Sequence, residues 1–345
     1  GRSRGCQRGA GIYPGGSVYR MRHVRGAVSE KVYCKMARRI ILLLCAALSG
    51  SLAGCAGQET AMQEGTGIYF DTVVSFQIAG DESGELLEGC LDLCGEMERI
   101  FSRTNAESEL YAVNHREGNT VELSEDLAAV VELGIRFYSL TDGKLDITVA
   151  PLCQLWDFSG GREEPPSQEE IDAALEKVDG SSIRLEGRTL YFDREDTELD
   201  LGALAKGYIS DKLKEYLEEN GAEHALINLG GNVMTLGTQP DGDPWRVGIQ
   251  EPFAERGTLS RVVQVEDQAV ISAGTYERYF QWEGKLYHHI LDPDTGYPAD
   301  TGLGQVTILC DRGILGDALS TSVLLLGEER GARLLEMFPE ASRIV

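Results

Sequence analysis

Four stretches of this sequence place chemically capable side chains at usable spacings. Residues 198–209 (ELDLGALAKGYI) read as a strand ending at Asp200 and a helix that opens with Gly202, Ala203, Lys206 and Gly207. Unpaired main-chain N–H groups collect at such a helix start. With Lys206 in its first turn the segment offers a seat for a phosphate, and Asp200 offers an acceptor for a ring N–H; the alternative is a tight turn with a solvated lysine. In Gly316-Asp317-Ala318-Leu319-Ser320-Thr321, Asp317 and Thr321 stand at i, i+4 on one helical face. They offer a carboxylate and a hydroxyl to one hard cation, Mg²⁺ or Ca²⁺ in preference to zinc, unless Asp317 is only a helix cap.

The third stretch, Tyr287-His288-His289-Ile290-Leu291-Asp292-Pro293-Asp294-Thr295-Gly296, is a strand running into a turn. Neighbouring strand residues face opposite sides, so only one of His288 and His289 can address a given site. A histidine there suits a general base, against the alternative of a surface pair beside a hairpin. The fourth runs from Thr141-Asp142-Gly143-Lys144-Leu145-Asp146 to Trp156, where Asp146 is either a binding carboxylate or a turn cap. Asn228-Leu229-Gly230-Gly231-Asn232 marks a sharp strand end.

Charge restricts what such a site can bind. The 345 residues carry a net charge of −24. Residues 1–54 hold ten basic residues and one acid, Glu30, which leaves 22 basic against 55 acidic residues, a net −33, for 55–345. Nucleic acid is excluded as a partner for that surface, and an anionic ligand needs a local device such as a metal ion, a helix N-terminus or a placed lysine.

The N-terminal basic segment has its own logic. From Met36 the chain reads Met-Ala-Arg38-Arg39, then an apolar run over 40–48, then Ser49-Gly50-Ser51-Leu52-Ala53-Gly54-Cys55. This is a signal-peptide layout, and the apolar run is too short to span a membrane. Leu52-Ala53-Gly54-Cys55 resembles a bacterial lipobox, which implies diacylated Cys55 as the mature N-terminus and an extracytoplasmic, lipid-anchored protein. Residues 1–35 are expected to be upstream sequence, 36–54 a signal peptide, 55–67 lipidated cysteine and tether, and 68–345 the functional domain. Of the cysteines beyond Cys55, Cys90 and Cys94 stand at i, i+4 on an expected helix, either as small core residues or as a redox or metal pair; Cys153 and Cys310 stand apart, and no disulfide scaffold is expected.

Apolar periodicity predicts helices over 86–101, 127–141, 168–178, 204–219, 315–326 and 328–337. Strands are expected over 68–79, over 183–200 as two strands turning at Glu186-Gly187, and over 225–229, 233–236, 245–249, 259–265, 269–273, 279–282, 285–291 and 304–309. Strands in hairpin-like groups, without strict βα alternation, predict an α+β fold with largely antiparallel sheets and packed helices.

Taken in order, DGKLDITVAPLCQLW, DLGALAKGY, INLGGN, ISAGTYERYF, HHILDPDTGYP and GDALST resemble the FAD:protein FMN transferase (ApbE) family, over roughly residues 70–326. The resemblance implies an α+β fold of intertwined subdomains and a Mg²⁺-dependent reaction. In it FAD is split at its pyrophosphate, FMN passes to a Thr or Ser hydroxyl of a partner protein, and AMP leaves. Carried over by position, the metal ligands are the Ala203 carbonyl, Asp317 and Thr321. Flavin contacts fall on Phe70, Lys144, Leu145, Asp146, Asp200, Lys206 and Leu291, and His289, not His288, is the base. Phe70 stands where relatives often carry Met. Relatives also continue into a closing strand, which implies a C-terminal truncation at Val345. The family's acceptor pattern, Asp-Ser/Thr-Gly-Ala-Ser/Thr-Ala/Thr, is absent from this chain, so the resemblance implies a separate extracytoplasmic flavoprotein as acceptor, such as a subunit of a Na⁺-translocating redox complex. Two alternatives use the same residues differently: an FAD pyrophosphatase releasing FMN and AMP, and a surface lipoprotein that binds flavin without chemistry.

Overall fold

The computed structural model describes residues 62–344. The expected upstream sequence, signal peptide, lipidated Cys55 and residues 56–61 of the tether lie outside the described residues. Residues 62–67, expected as tether, are instead part of a strand. β1 (Met62–Tyr69) pairs antiparallel with β2 (Thr72–Ala79) along its whole length. The strand is hard to read because β1 is an edge whose residues are mostly exposed, and Gly65 and Gly67 leave room for Leu87 and Tyr69 in place of packed side chains. The single strand expected over 68–79 is likewise a hairpin: Phe70 and Asp71 both adopt positive φ (55° and 56°), the conformation of a tight two-residue turn, without the Asn-Gly signal that usually announces one.

After this hairpin come α1 (Ser83–Phe101), α2 (Glu109–Asn114), β3 (Thr120–Glu122), α3 (Glu125–Leu140), α4 (Ala150–Trp156), α5 (Gln168–Leu175), β4 (Ile183–Glu186) and β5 (Thr189–Phe192). The chain then enters α6 (Ala205–Glu219), β6 (His224–Leu229), β7 (Asn232–Leu236), β8 (Trp245–Gln250), β9 (Leu259–Val265), β10 (Ala269–Gly274), β11 (Tyr279–Trp282), β12 (Lys285–His288), β13 (Gln305–Cys310), α7 (Gly313–Leu335) and β14 (Ser342–Arg343).

Seven strands form one antiparallel sheet in the order β1-β2-β6-β7-β10-β13-β14. The chain leaves this sheet after β2, builds a small sheet β3-β5-β4 with its helices, and returns at β6, so the two parts interleave in sequence. This is the expected α+β architecture. Period-2 alternation gives the main sheet two apolar faces. Ala225, Ile227, Leu229, Met234 and Ile271 join the large core that includes α1, α6 and α7. Val233 and Val270 pack under Trp245, Val247 and Ile249 of the β8-β9 ribbon. A third cluster gathers Leu152, Trp156, Ile171 and Leu291.

Element boundaries depart from expectation where tertiary bonds intervene. β5 stops at Phe192; the segment that follows to Asp200 is irregular because Arg116 gathers the carbonyls of Arg194 and Thr197 while its guanidinium stacks on Phe192. β12 stops at His288, leaving only a single bridge between Leu291 and Pro298. α2, α4, β3 and β14 lack expected counterparts, being too short for a periodic pattern. The two helices expected over 315–326 and 328–337 are present as the two halves of α7, separated by a kink at Gly327, whose backbone is not helical (φ 76°, ψ 179°).

Candidate active site

A cavity of about 1030 Å³ opens between the main sheet, the start of α6, α7 and the turn after β12. Every residue within 62–344 that the resemblance assigns to the site lines it: Phe70, Lys144, Leu145, Asp146, Asp200, Ala203, Lys206, His289, Leu291, Asp317 and Thr321. They come from five separate parts of the chain.

The Asp200 region is fixed by its neighbours. Asn114 clamps Leu199, accepting its N–H (2.7 Å) and donating to its carbonyl (2.9 Å), and Asp200 N–H donates to the Ile147 carbonyl (2.8 Å). The Asp200 carboxylate accepts from Arg103 Nε and from the Gly202 N–H, both at 2.9 Å. It is therefore oriented at the cavity wall, by an arginine that local sequence did not flag. Lys206 follows in the first turn of α6 and makes no salt bridge among the described residues.

Asp317 is buried and has no ion-pair partner within 4 Å among the described residues; its Oδ2 accepts from Gly207 N–H and its Oδ1 from Asn232 Nδ2, both at 2.6 Å. Burial raises its pKa, partly opposed by the Lys206 charge and by these two hydrogen bonds. Each oxygen keeps a free lone pair, so the site is a desolvated carboxylate short of counter-charge, with Thr321 on the same helical face and Ala203, whose carbonyl is the third expected donor, also lining the cavity. That all-oxygen donor set fits a hard divalent cation such as Mg²⁺. Among the described residues no cluster of three or more His, Cys, Asp or Glu forms an alternative metal site.

α7 supplies no side-chain cap of its own at Arg312. The cap comes from α6: the Asp211 carboxylate accepts from Gly313 N–H (2.5 Å) and Ile314 N–H (3.0 Å). A Cβ on Gly207 would overlap the Gly313 carbonyl, so glycine is what lets the two helices approach closely enough for Gly207 to reach Asp317.

The two histidines divide as strand alternation requires. His288 is buried, its Nε2 bonded to the Ala299 carbonyl (3.0 Å) while its Nδ1 accepts from Ile290 N–H (3.3 Å). His289 turns into the cavity, with Nδ1 shielded from solvent and without a hydrogen-bond partner among the described residues, which leaves Nε2 open to the cavity. Desolvation, reinforced by His288, Arg278 and Lys206, pushes its pKa down to about 3, so the imidazole is neutral near pH 7.

The 144–146 stretch differs from a simple flavin contact. Lys144 donates to both Asp292 oxygens (2.7 Å each) and to Asp294 (2.8 Å); burial disfavours its charge, but these bonds outweigh it and raise its pKa. It ties the turn after His289 to the end of α3. The Asp146 carboxylate is turned into the protein, accepting from Thr148 N–H and Oγ1 (2.7 Å each) and from Gly180 N–H (2.9 Å), so it is a turn cap and not a free binding carboxylate. Burial raises its pKa. Leu145 and Leu291 are buried apolar wall. Phe70 is held at the hairpin tip by its N–H donating to Glu98 Oε1 (2.9 Å).

Cys90 and Cys94 are fully buried, and desolvation pushes both thiols up to about 12, which makes them core residues. Local sequence missed Arg103, Glu98 and the role of Asn232. Only the sharp strand end at 228–232 pointed toward the last, because the partners of all three lie far away in the chain.

The ApbE family model matches residues 70–344. An FAD:protein FMN transferase of Klebsiella pneumoniae (strain 342) is 35% identical over 241 residues, 69% of this chain and 74% of the relative. One of Vibrio cholerae is 33% identical over 252 residues, 70% of this chain and 75% of the relative. Among solved structures, the flavin transferase ApbE from Vibrio cholerae superposes with a TM-score of 0.73 at 27% identity, covering 82% of this chain and 97% of that one. The ApbE protein from Thermotoga maritima gives a TM-score of 0.75 at 29% identity, covering 82% and 93%. Fold, cavity and sequence agree, and the chain belongs to the ApbE family.

Proposed function

We propose that this protein is an FAD:protein FMN transferase that is Mg²⁺-dependent, releases AMP, and flavinylates a Thr or Ser of a separate acceptor protein. The observation that carries the reading is the convergence in one cavity of a neutral histidine with an open ring nitrogen, a buried carboxylate and a lysine, neither of the last two in an ion pair among the described residues.

In this reading the flavin lies along Phe70, Leu145 and Leu291, with Asp200, pre-oriented by Arg103, accepting a ring N–H. Lys206 and the N–H groups at the start of α6 hold the diphosphate, which an acidic chain would otherwise repel. Asp317, Thr321 and the Ala203 carbonyl would hold Mg²⁺, which supplies charge neutralisation on the phosphates. The acceptor oxygen attacks the FMN phosphorus as its proton passes to Nε2 of His289. The P–O bond to AMP breaks, and AMP leaves with the electron pair. His289 starts as a weak base, and the anionic diphosphate beside it raises its proton affinity when bound. Positioning and electrostatics therefore carry more of the barrier than proton transfer. The leader and Leu52-Ala53-Gly54-Cys55 support an extracytoplasmic, lipid-anchored location, facing an acceptor subunit of a redox complex.

Mass spectrometry of the protein incubated with FAD, Mg²⁺ and a domain carrying the acceptor pattern tests this. An FMN-sized gain on the acceptor, abolished by EDTA, is expected. Free FMN and AMP with an unmodified acceptor would make the protein a pyrophosphatase, and intact FAD would leave a binding role.

A further inference from the structure

The β8-β9 ribbon has one covered side and one open side. β9 is the outer strand: its Arg261 donates to the Ile344 carbonyl (3.0 Å), next to β14 at the margin of the main sheet. β8 is the inner strand, and Val247, Gly248, Ile249 and Gln250 line the same cavity as His289 and Asp317. Its only ladder is to β9, so the β8 edge toward the cavity has no strand partner among the described residues.

This edge is blunted only toward its ends, by Pro244 just before the strand and by a register irregularity between Ile249 and Gln250; between them Trp245, Val247 and Ile249 anchor one face on the main sheet while Arg246 and Gly248 are exposed on the other. Paired on one side only, the strand has half of its main-chain donors and acceptors without a ladder partner among the described residues. Arg256 and Arg278 also line the cavity and make no salt bridge among the described residues, although Glu277 and Asp157 line it too; Arg278 donates to Ser159 Oγ (2.9 Å).

We propose that the open edge of β8 is the docking site for the acceptor, an extended acidic segment of the partner protein that adds to β8 as an antiparallel or parallel strand and so delivers its hydroxyl to His289. Main-chain pairing supplies the affinity, the two arginines select an acidic residue beside the hydroxyl, and alternation of the added strand aims every second side chain into the cavity. The inference rests on the transferase reading and adds to it the mode of acceptor recognition.

The test is a backbone N-methyl scan of a twelve-residue peptide carrying the acceptor pattern, assayed with the full chain, FAD and Mg²⁺, together with FAD binding followed by flavin fluorescence. N-methylation at alternate residues next to the hydroxyl is expected to raise the acceptor KM at least tenfold, with the intervening positions tolerated and FAD affinity unchanged. Arg256→Ser is expected to raise KM for the acidic peptide and leave it unchanged for the peptide with Asp replaced by Asn. Transfer with no alternation in the scan overturns strand addition while leaving the transferase intact. An unmethylated peptide and a whole acceptor domain that both take up no FMN overturn the transferase reading and the docking site with it.

Discussion

Asp317 on α7 accepts the main-chain N–H of Gly207 on α6 at 2.6 Å, across 110 residues of sequence. One hydrogen bond thus joins the helix start that offers Lys206 to the helix face that offers Asp317 and Thr321. The phosphate-holding and metal-holding groups are set in one frame by it.

Gly207→Ala is the sharpest probe of that frame. The added methyl meets the Gly313 carbonyl, a backbone atom that cannot rotate away. Urea denaturation is expected to show a loss of about 2–3 kcal/mol, and a Mg²⁺ titration should show a higher concentration for half-maximal activity. Unchanged values for both would mean that the helices do not cross this closely.

Asp317 and His289 should differ in weight. Asp317→Ala removes the buried carboxylate and leaves Gly207 and Asn232 without their acceptor, and is expected to lower kcat/KM by about 10⁴-fold or more. His289→Ala removes a weak base and should cost about 10²- to 10³-fold. Measured kinetics with the reverse order would shift the main burden to proton transfer.

Arg103→Ala should act through Asp200. Without the 2.9 Å bond from Nε the carboxylate loses one of its two donors, and the FAD KM is expected to rise about tenfold, a loss of about 1.4 kcal/mol in binding, with kcat little changed. A fall in kcat with an unaltered KM would place Arg103 on the reacting phosphate instead.

Removal of metal should be reversible and selective. EDTA is expected to abolish transfer, and Mg²⁺ or Mn²⁺ to restore it better than Zn²⁺, because the proposed ligands are one carboxylate, one hydroxyl and one carbonyl. Full restoration by Zn²⁺ alone would require nitrogen or sulfur ligands.

Acid behaviour has a defined sign. Burial raises the Asp211 carboxyl from 3.8 to about 6 although it caps Gly313 and Ile314. Its ionised form is therefore disfavoured by folding: the folded state binds the proton more tightly than the unfolded state, so its contribution to stability is greatest below about pH 4. That contribution is lost as pH rises toward 6 and is constant above. With allowance for its partial exposure, the change is about 1–2 kcal/mol. Chemical denaturation between pH 4 and 7 should show a smaller decline with rising pH in Asp211→Asn. His289, neutral well above pH 3, should contribute no ionisation to kcat/KM near 6.5.

The order of helices and strands could be read from the chain alone wherever a pattern is local and repeated. The amphipathic runs of α1, α3 and α6 fall within a few residues of expectation, since period 3.6 is set by residues that are neighbours along the chain. Strand alternation was likewise enough to say that only one of His288 and His289 can serve the site. Local chemistry also singled out Asp200, Lys206, Asp317 and Thr321. The edge strand β1 and its tight turn escaped, because an exposed strand has little apolar period and Phe70-Asp71 reaches positive φ without glycine.

What each polar group does was a matter for folding, and the reason is sequence distance. Lys144 and Asp292 are 148 residues apart, Arg103 and Asp200 are 97 apart, and Asn232 and Asp317 are 85 apart. A carboxylate in a linear chain carries no sign of whether it will face a cavity, as Asp200 does, or turn inward to cap a loop, as Asp146 does with Thr148 and Gly180. Burial then sets their proton affinities. The residue types supplied the chemistry; the cavity, the paired partners and the depressed pKa of His289 exist only where packing brings distant segments together and excludes water from between them.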